Sequence, residues 1–256
     1  MSIPPFHWWR TVFFLIPAIG VYTIVLGTIS ILSSVADPSG DFGHRCARAW
    51  AWLILKTTGV RVSVSGADKL DPGRSYVFAS NHQSIYDIPI VFASLPFQLR
   101  IVSKASVGRF PFLGWHLSRT GHLLVDRDNP GASIVKKMAR LIRGSRSLIV
   151  FPEGTRSRTG ALGRFKGGMF LVAIDAGLPI VPVSISGSRH VMFRGELTTR
   201  PGAVTMTIHD PIPTAGLGRG AAREISDRVR DVVQTAVDVD AGAAVDGRED
   251  VAAKSV

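Results

Sequence analysis

Ser75-Tyr76-Val77-Phe78-Ala79-Ser80-Asn81-His82-Gln83-Ser84-Ile85-Tyr86-Asp87 begins as one kind of structure and ends as another. Residues 75–79 form a short run rich in aromatic and β-branched side chains, which reads as a strand. Polar residues 80–84 interrupt it, and an apolar pattern with helical character follows from Ile85. A strand passing through a polar loop into a helix is the repeating unit of an α/β domain. Further short apolar runs lie at 61–65, 99–103, 122–125, 147–151, 180–185 and 204–209. Helical patterns separate several of them. At 131–143, Ile134, Met138 and Leu141 repeat at helical spacing beside Ala132, Val135, Ala139 and Ile142. At 222–237, Ile225, Val229, Val232 and Ala236 form a stripe. The expected fold is therefore α/β, with a central sheet of about seven strands.

The chain before residue 59 is different. No charged residue occurs between Arg10 and Asp37, and residues 11–36 are long enough to cross a bilayer core. No small-residue cleavage site stands out, which favours retention of the segment. Pro17, Gly20 and Gly27 leave a straight span, a kinked helix and a re-entrant hairpin all open. A buried core helix passes the same test. Trp8 and Trp9 beside Arg10 suit an interface. Residues 44–58 read as a second helix, lying at that interface or packed on the first. The division expected is membrane-associated helices at 1–58, an α/β domain at 59–239 and a disordered tail at 240–256.

Composition narrows the classes of function. The chain of 256 residues is 46% hydrophobic, and 30 Lys and Arg against 19 Asp and Glu give a net charge of +11. Its mean hydropathy is +0.23. Basic excess suits anionic lipid, phosphorylated substrate or nucleic acid. No nucleic-acid motif is present. Cys46 is the only cysteine, so an intrachain disulfide and a multi-cysteine metal site are excluded. His122, His190 and His209 are dispersed without zinc-ligand spacing.

His82 and Asp87 are the candidates for chemistry. One helix holding both would splay them by about 140° at 100° per residue. His82 therefore belongs to the loop and Asp87 to the first helical turn, with Ser84 and Asp87 at capping-box spacing. Asp87 then reaches back to one imidazole nitrogen and leaves the other free as a general base. The spacing alone also describes an ordinary loop histidine beside a capping aspartate.

Three further segments add to this one. Residues 81–87 together with KASVGRFPFLG at 104–114 and VDRDN at 125–129, FPEGTRS at 151–157 followed by FKGG at 165–168, and IVPV at 180–183 occur in that order. In these the chain resembles the glycerolipid acyltransferase family, which includes 1-acyl-sn-glycerol-3-phosphate acyltransferases. The resemblance implies a mixed sheet flanked by helices, His82 and Asp87 as the catalytic pair, and Lys104 with Glu153, Gly154, Thr155 and Arg156 at the acceptor. Arg156 suits phosphate as a planar fork and Lys104 as a point charge. Arg127 either joins that phosphate site or pairs with Asp126 or Asp128. Glu153 either orders Arg156 or a substrate hydroxyl, or is structural. Pro182 is expected to shape a loop or strand end.

The activity so implied is transfer of a fatty acyl group from acyl-CoA or acyl carrier protein to the sn-2 hydroxyl of lysophosphatidic acid, giving phosphatidic acid, with no metal and no cofactor. The expected partners are the lipid bilayer, the thioester donor and the lyso-lipid, without nucleic acid. The expected location is a bacterial cytoplasmic membrane with the site facing the cytoplasm. Another lyso-lipid acceptor, such as a lyso-ornithine lipid, fits the same motifs, and a non-enzymatic lipid-binding protein is the alternative of a different class.

Overall fold

The computed structural model describes residues 4–125 and 146–252. The helix expected at 131–143 lies outside them. The seven expected strands form: β1 Val60–Ser65, β2 Val77–Ser80, β3 Leu99–Lys104, β4 Leu123–Val125, β5 Ser147–Val150, β6 Ile180–Ser186 and β7 Gly202–Ile208. They make one sheet in the order β1-β7-β6-β2-β5-β3-β4. Every neighbouring pair is parallel except β6 and β7, which are antiparallel. The sheet is therefore mixed, with β1 and β7 running against the other five.

Burial follows position in the sheet. Strands β2, β5 and β6 are buried at every residue, as strands covered on both faces must be. Edge strand β1 is exposed over most of its length. Pro182 lies inside β6, opposite Ala79 of β2, where a loop or strand end was expected. Lacking an N–H, it accepts a hydrogen bond from His209 but returns none, and the β6–β7 ladder stops there at Ile208.

Helices cover both faces. Ala51, Ile54 and Leu55 of α2 (Asp41–Thr58) and Ile90, Val91 and Phe92 of α3 (Asp87–Ser94) pack over Phe78, Ile149, Val181 and Val183. A short helix α4 (Leu113–Arg119) lies beside them. On the other face α5 (Leu171–Ala176) and the carboxyl-terminal α7 (Ala222–Ala252) cover Val77, Ala79, Val150 and Ile180, and the one-turn helix α6 (Ser188–Val191) follows β6. The inward stripe of α7 is Ile225, Val229, Val233 and Val237, so it turns one residue from the expected Val232 and Ala236. Helix α7 also continues past Asp240, where a disordered tail was expected. Alanine is the best helix former, and a helix already nucleated by packing extends at little cost.

The amino-terminal helix α1 runs over Phe6–Ser33 and is long and apolar enough to cross a membrane, yet only 6% of its apolar window is buried. A π-helical turn at Thr11–Leu15 precedes Pro17. Its inner stripe is small and polar and is tied to the domain along its length. The Arg10 guanidinium donates to the carbonyls of Thr58 and Thr199 at 3.3 Å, and Thr199 N–H donates to Thr11 Oγ1 at 2.9 Å. Further along, Tyr22 OH meets Thr57 Oγ1 at 2.9 Å, and Trp50 Nε1 donates to Thr23 Oγ1 at 2.9 Å. A Cβ at Gly27 would sit 3.0 Å from Phe112 Cβ, and Ser30 Oγ lies 2.6 Å from His116 Nδ1. The outer stripe, with Phe13, Phe14, Val21, Val25 and Leu32, is exposed. Buried Arg100 anchors the turn into α2 by donating to Ser39 O at 3.0 Å.

Phe78, fully buried among Tyr76 and Phe97, carries much of the first core. Phe78→Ala should destabilise the fold by about 3–5 kcal/mol. Val64→Ala, on exposed edge strand β1, should cost less than about 1 kcal/mol. Chemical denaturation of both variants in detergent checks the order; equal losses would contradict this account of the core.

Candidate active site

The four central parallel strands β2, β3, β5 and β6 point their carboxyl ends to one edge of the sheet. Ligands in open α/β sheets bind outside that edge. His82 leaves β2 there, residues 152–157 leave β5, and Lys104 is the last residue of β3. Order β2-β5-β3 puts Lys104 two strands from β2, about 10 Å across.

The segment 81–87 is clamped at each step. The Asn81 amide, fully buried, donates to Ile185 O and accepts from Ile185 N–H, both at 2.8 Å, which fastens the loop to β6. His82 Nδ1 lies 2.8 Å from Asp87 Oδ2, with Asp87 fully buried and the His82 side chain 11% exposed. The same Asp87 oxygen accepts Gln83 N–H at 2.8 Å and Ser84 N–H at 2.9 Å. Asp87 is the first residue of α3, and no side chain caps the helix in the expected box. Ser84 Oγ donates instead to Met192 O at 2.9 Å. The carboxylate itself takes the loop N–H groups, so the capping aspartate and the partner of His82 are one residue.

Because Asp87 accepts from Nδ1, the neutral imidazole carries its proton there. Nε2 has no hydrogen-bond partner among the described residues and is left with its lone pair. Phe151 stacks against the His82 ring at 4.3 Å between centroids and holds its plane. Sequence reasoning passed over Phe151, whose only signal was its place at the head of FPEGTRS.

Glu153 is structural to this loop. Its Oε1 accepts His82 N–H at 2.7 Å and its Oε2 accepts Gly163 N–H at 2.9 Å. Ser157 N–H donates to His82 O at 2.8 Å, so the loops after β2 and β5 are joined in both directions. Burial pushes the Glu153 carboxyl upward, opposed by the hydrogen bonds from His82 and Gly163. Gly154 has φ +74°, which few side chains tolerate, and a Cβ there would come within 3.0 Å of Lys166 Nζ. Thr155 is exposed and Arg156 half-exposed; the Arg156 guanidinium makes no ion pair among the described residues. Arg194, unforeseen, donates from Nη1 to Arg156 O. Lys104 is exposed at its strand end. Arg127 lies outside the described residues. Lys104 and Arg156 thus follow strands whose carboxyl ends share the sheet edge of His82.

An apolar cavity of about 390 Å³ opens beside this loop, lined by Ile85 and Ile88 on either side of Asp87, by Thr23 and Gly27 of α1 and by Trp50 of α2. Its size is that of a small-ligand site. Among the described residues no group of three or more His, Cys, Asp and Glu is arranged to hold a metal ion.

Residues 61–186 match the acyltransferase family model, and the chain belongs to that family. It is 32% identical over 176 residues to the 1-acyl-sn-glycerol-3-phosphate acyltransferase of Cocos nucifera, covering 68% of this chain and 55% of that protein. It is 32% identical over 175 residues to 1-acyl-sn-glycerol-3-phosphate acyltransferase alpha of Homo sapiens, covering 67% and 62%. The chain thus spans just over half the length of these curated relatives. The solved structure of the 1-acyl-sn-glycerophosphate (LPA) acyltransferase PlsC from Thermotoga maritima has the same fold, with a TM-score of 0.72 at 24% identity over 86% of this chain and 93% of that one.

Glu153 gives a pH test. Its carboxyl binds a proton more tightly folded than unfolded, so its contribution to stability is present below the ordinary value of 4.5 and is lost as pH rises through the raised value. Glu153→Gln should remove that slope from the stability profile above pH 4.5. Glu153→Ala should lower the melting temperature at all pH values, since two N–H donors lose their acceptor at about 1–3 kcal/mol each. An unchanged profile in Glu153→Gln would refute the assignment.

Proposed function

We propose that this protein transfers a fatty acyl group from a thioester to the free hydroxyl of a lysophospholipid, with 1-acylglycerol 3-phosphate as acceptor and phosphatidic acid as product. The observation that carries the reading is the 2.8 Å contact of His82 Nδ1 with buried Asp87, which leaves Nε2 as a base on a segment whose Ile85 and Ile88 line an apolar cavity. The names of the relatives, all 1-acyl-sn-glycerol-3-phosphate acyltransferases, support the choice of acceptor.

His82 Nε2 takes the proton from the acceptor hydroxyl as the oxygen attacks the thioester carbonyl. The imidazolium that forms is stabilised by Asp87, which cannot rotate away because it holds two loop N–H groups. Collapse of the tetrahedral intermediate expels the thiolate, which takes up the proton from His82. Arg156, with Lys104 at the far side of β5, receives the acceptor phosphate, and Arg127 is a further candidate. Glu153 keeps the His82 backbone in place and does not touch substrate. The donor is acyl-CoA or acyl carrier protein, whose acyl chain occupies the apolar cavity. No metal is needed, since the thioester is already activated.

The apolar helix α1 supports a place for this edge at a membrane. Its inner stripe is bonded to the domain from Arg10 to Ser30, a length of about 30 Å, while its outer stripe is apolar and exposed. We read α1 as lying against the domain with its outer face in lipid, which brings the cavity to where acceptor and product reside. We propose a bacterial cytoplasmic membrane as the location, with the site on its cytoplasmic side.

Labelled acyl transfer to a panel of lyso-lipids, lyso-ornithine lipid included, tests the proposal. Phosphatidic acid should dominate the products. His82→Ala should lower kcat by roughly 10²–10⁴ and Asp87→Asn by a similar factor, with the fold intact. Arg156→Ala should chiefly raise KM for the phosphate-bearing acceptor. Wild-type turnover in both His82→Ala and Asp87→Asn would sink the mechanism.

A further inference from the structure

Two loops meet beside the base, and the later one brings a cation that the mechanism has not used. The chain leaves β6 through α6 and continues from Met192 as a loop. Met192 O accepts the hydroxyl of Ser84, two residues after the base. Further on, Thr199 N–H donates to Thr11 Oγ1, which fastens this loop to α1. Between these two points Arg194 reaches across to the loop after β5 and donates from Nη1 to Arg156 O. The next N–H along that loop, from Ser157, donates to His82 O at 2.8 Å. A single peptide group therefore separates the Arg194 guanidinium from the backbone of the base.

The charges of these loops are one-sided. Their carboxylates are already engaged: Glu153 accepts the N–H groups of His82 and Gly163, and Glu196 pairs with Arg200 at 3.2 Å. Arg189, like Arg194, donates to a carbonyl, that of Arg158, at 3.3 Å. A carbonyl fixes a guanidinium without cancelling its charge. Arg156, Arg158, Arg189 and Arg194 thus make no ion pair among the described residues. Arg194 is half-buried, yet its other N–H groups are not sealed off, since none of its nitrogens is a buried atom lacking a partner. Like charges gathered in this way repel one another, and an anion relieves them.

In a 1-acylglycerol 3-phosphate, one carbon and one oxygen separate phosphorus from the carbon that bears the free hydroxyl. Holding that hydroxyl at His82 Nε2 keeps the phosphate close to the base. Lys104 ends a strand two places from β2, whereas Arg194 stands one peptide from His82. A planar fork also suits a phosphate with several free oxygens.

We propose that Arg194 binds the acceptor phosphate together with Arg156, and that the two guanidiniums select a phosphate monoester over a diester. This rests on reading 1-acylglycerol 3-phosphate as the acceptor.

The test uses the full chain in detergent, with an acyl-CoA donor and lysophosphatidic acid as acceptor. Hexadecyl phosphate, a monoester without a hydroxyl to acylate, and its methyl diester serve as competing inhibitors. The wild-type protein should bind the monoester more tightly by roughly tenfold or more. Arg194→Met should raise KM for lysophosphatidic acid roughly ten- to hundredfold, the worth of a charge-assisted hydrogen bond, with a smaller change in kcat. It should also bring the two inhibitors closer together. Arg194→Lys, which keeps the charge and loses the fork, should fall between. Arg200→Met removes a cation already paired with Glu196 and should keep the preference for the monoester. Equal inhibition of the wild-type protein by both compounds overturns this inference alone, whether or not the variants fold. So does an unchanged KM in Arg194→Met, since a fall in kcat by itself marks a residue that only braces the Arg156 turn. Equal losses in Arg200→Met and Arg194→Met reduce the effect to net charge and also overturn it. Wild-type transfer to another lyso-lipid and none to lysophosphatidic acid overturns the acceptor reading, and this inference with it.

Discussion

A single carboxylate oxygen, Asp87 Oδ2, accepts three hydrogen bonds within one turn of chain: from the His82 ring, from Gln83 N–H and from Ser84 N–H. Each contact makes the others more exacting. The two backbone donors fix the carboxylate, and the fixed carboxylate fixes the imidazole. Because Asp87 is fully buried, the arrangement sits where hydrogen bonds to a charge are strong and where an unpaired charge would be costly. Helix α3 begins at this residue, so the start of the helix and the orientation of the ring are one event.

Everything around that oxygen limits how the loop can move. Asn81 ties it to β6, Glu153 and Ser157 tie it to the loop after β5, and Phe151 closes one side of the ring. Those three strands are adjacent in the sheet, with β2 in the middle. The position of the base is thus set by the most rigid part of the molecule, as preorganised chemistry requires. The exposed Thr155 and the half-exposed Arg156 lie at the open side of this frame, where a soluble headgroup can reach them.

The amino-terminal helix has two incompatible faces, and the fold separates them. Its threonines, serine and glycine face the domain, where hydroxyls find partners and backbones approach closely. Its phenylalanines and aliphatic residues face outward. An outward apolar face of that length has no place in water, which is the physical case for lipid beside it. The same packing builds one wall of the apolar cavity, so the exposed apolar face and the cavity share an element.

Much of this was legible in the residues. Seven apolar or β-branched runs located seven strands, because strands buried on both faces, such as β2, β5 and β6, leave a continuous apolar signature and exposed β1 keeps an alternating one. The residues 81–87 placed His82 in a loop and Asp87 at a helix start, because the helical period forbids both on one helix. Other features had no local signature. Pro182 reads as a loop residue and lies inside β6, tolerated only because β7 ends beside it. The role of Glu153 as an acceptor for His82 and Gly163 depends on two loops meeting across the sheet. Ser84 looked like a cap, and it is Asp87 that binds the loop N–H groups. By itself the sequence determined the kinds of element and the placing of His82 in a loop and Asp87 at a helix start, since both rest on short-range periodicity and residue chemistry. Which side of α1 meets the domain and what holds His82 in place were decided only by tertiary structure, because each depends on groups brought together from distant parts of the chain.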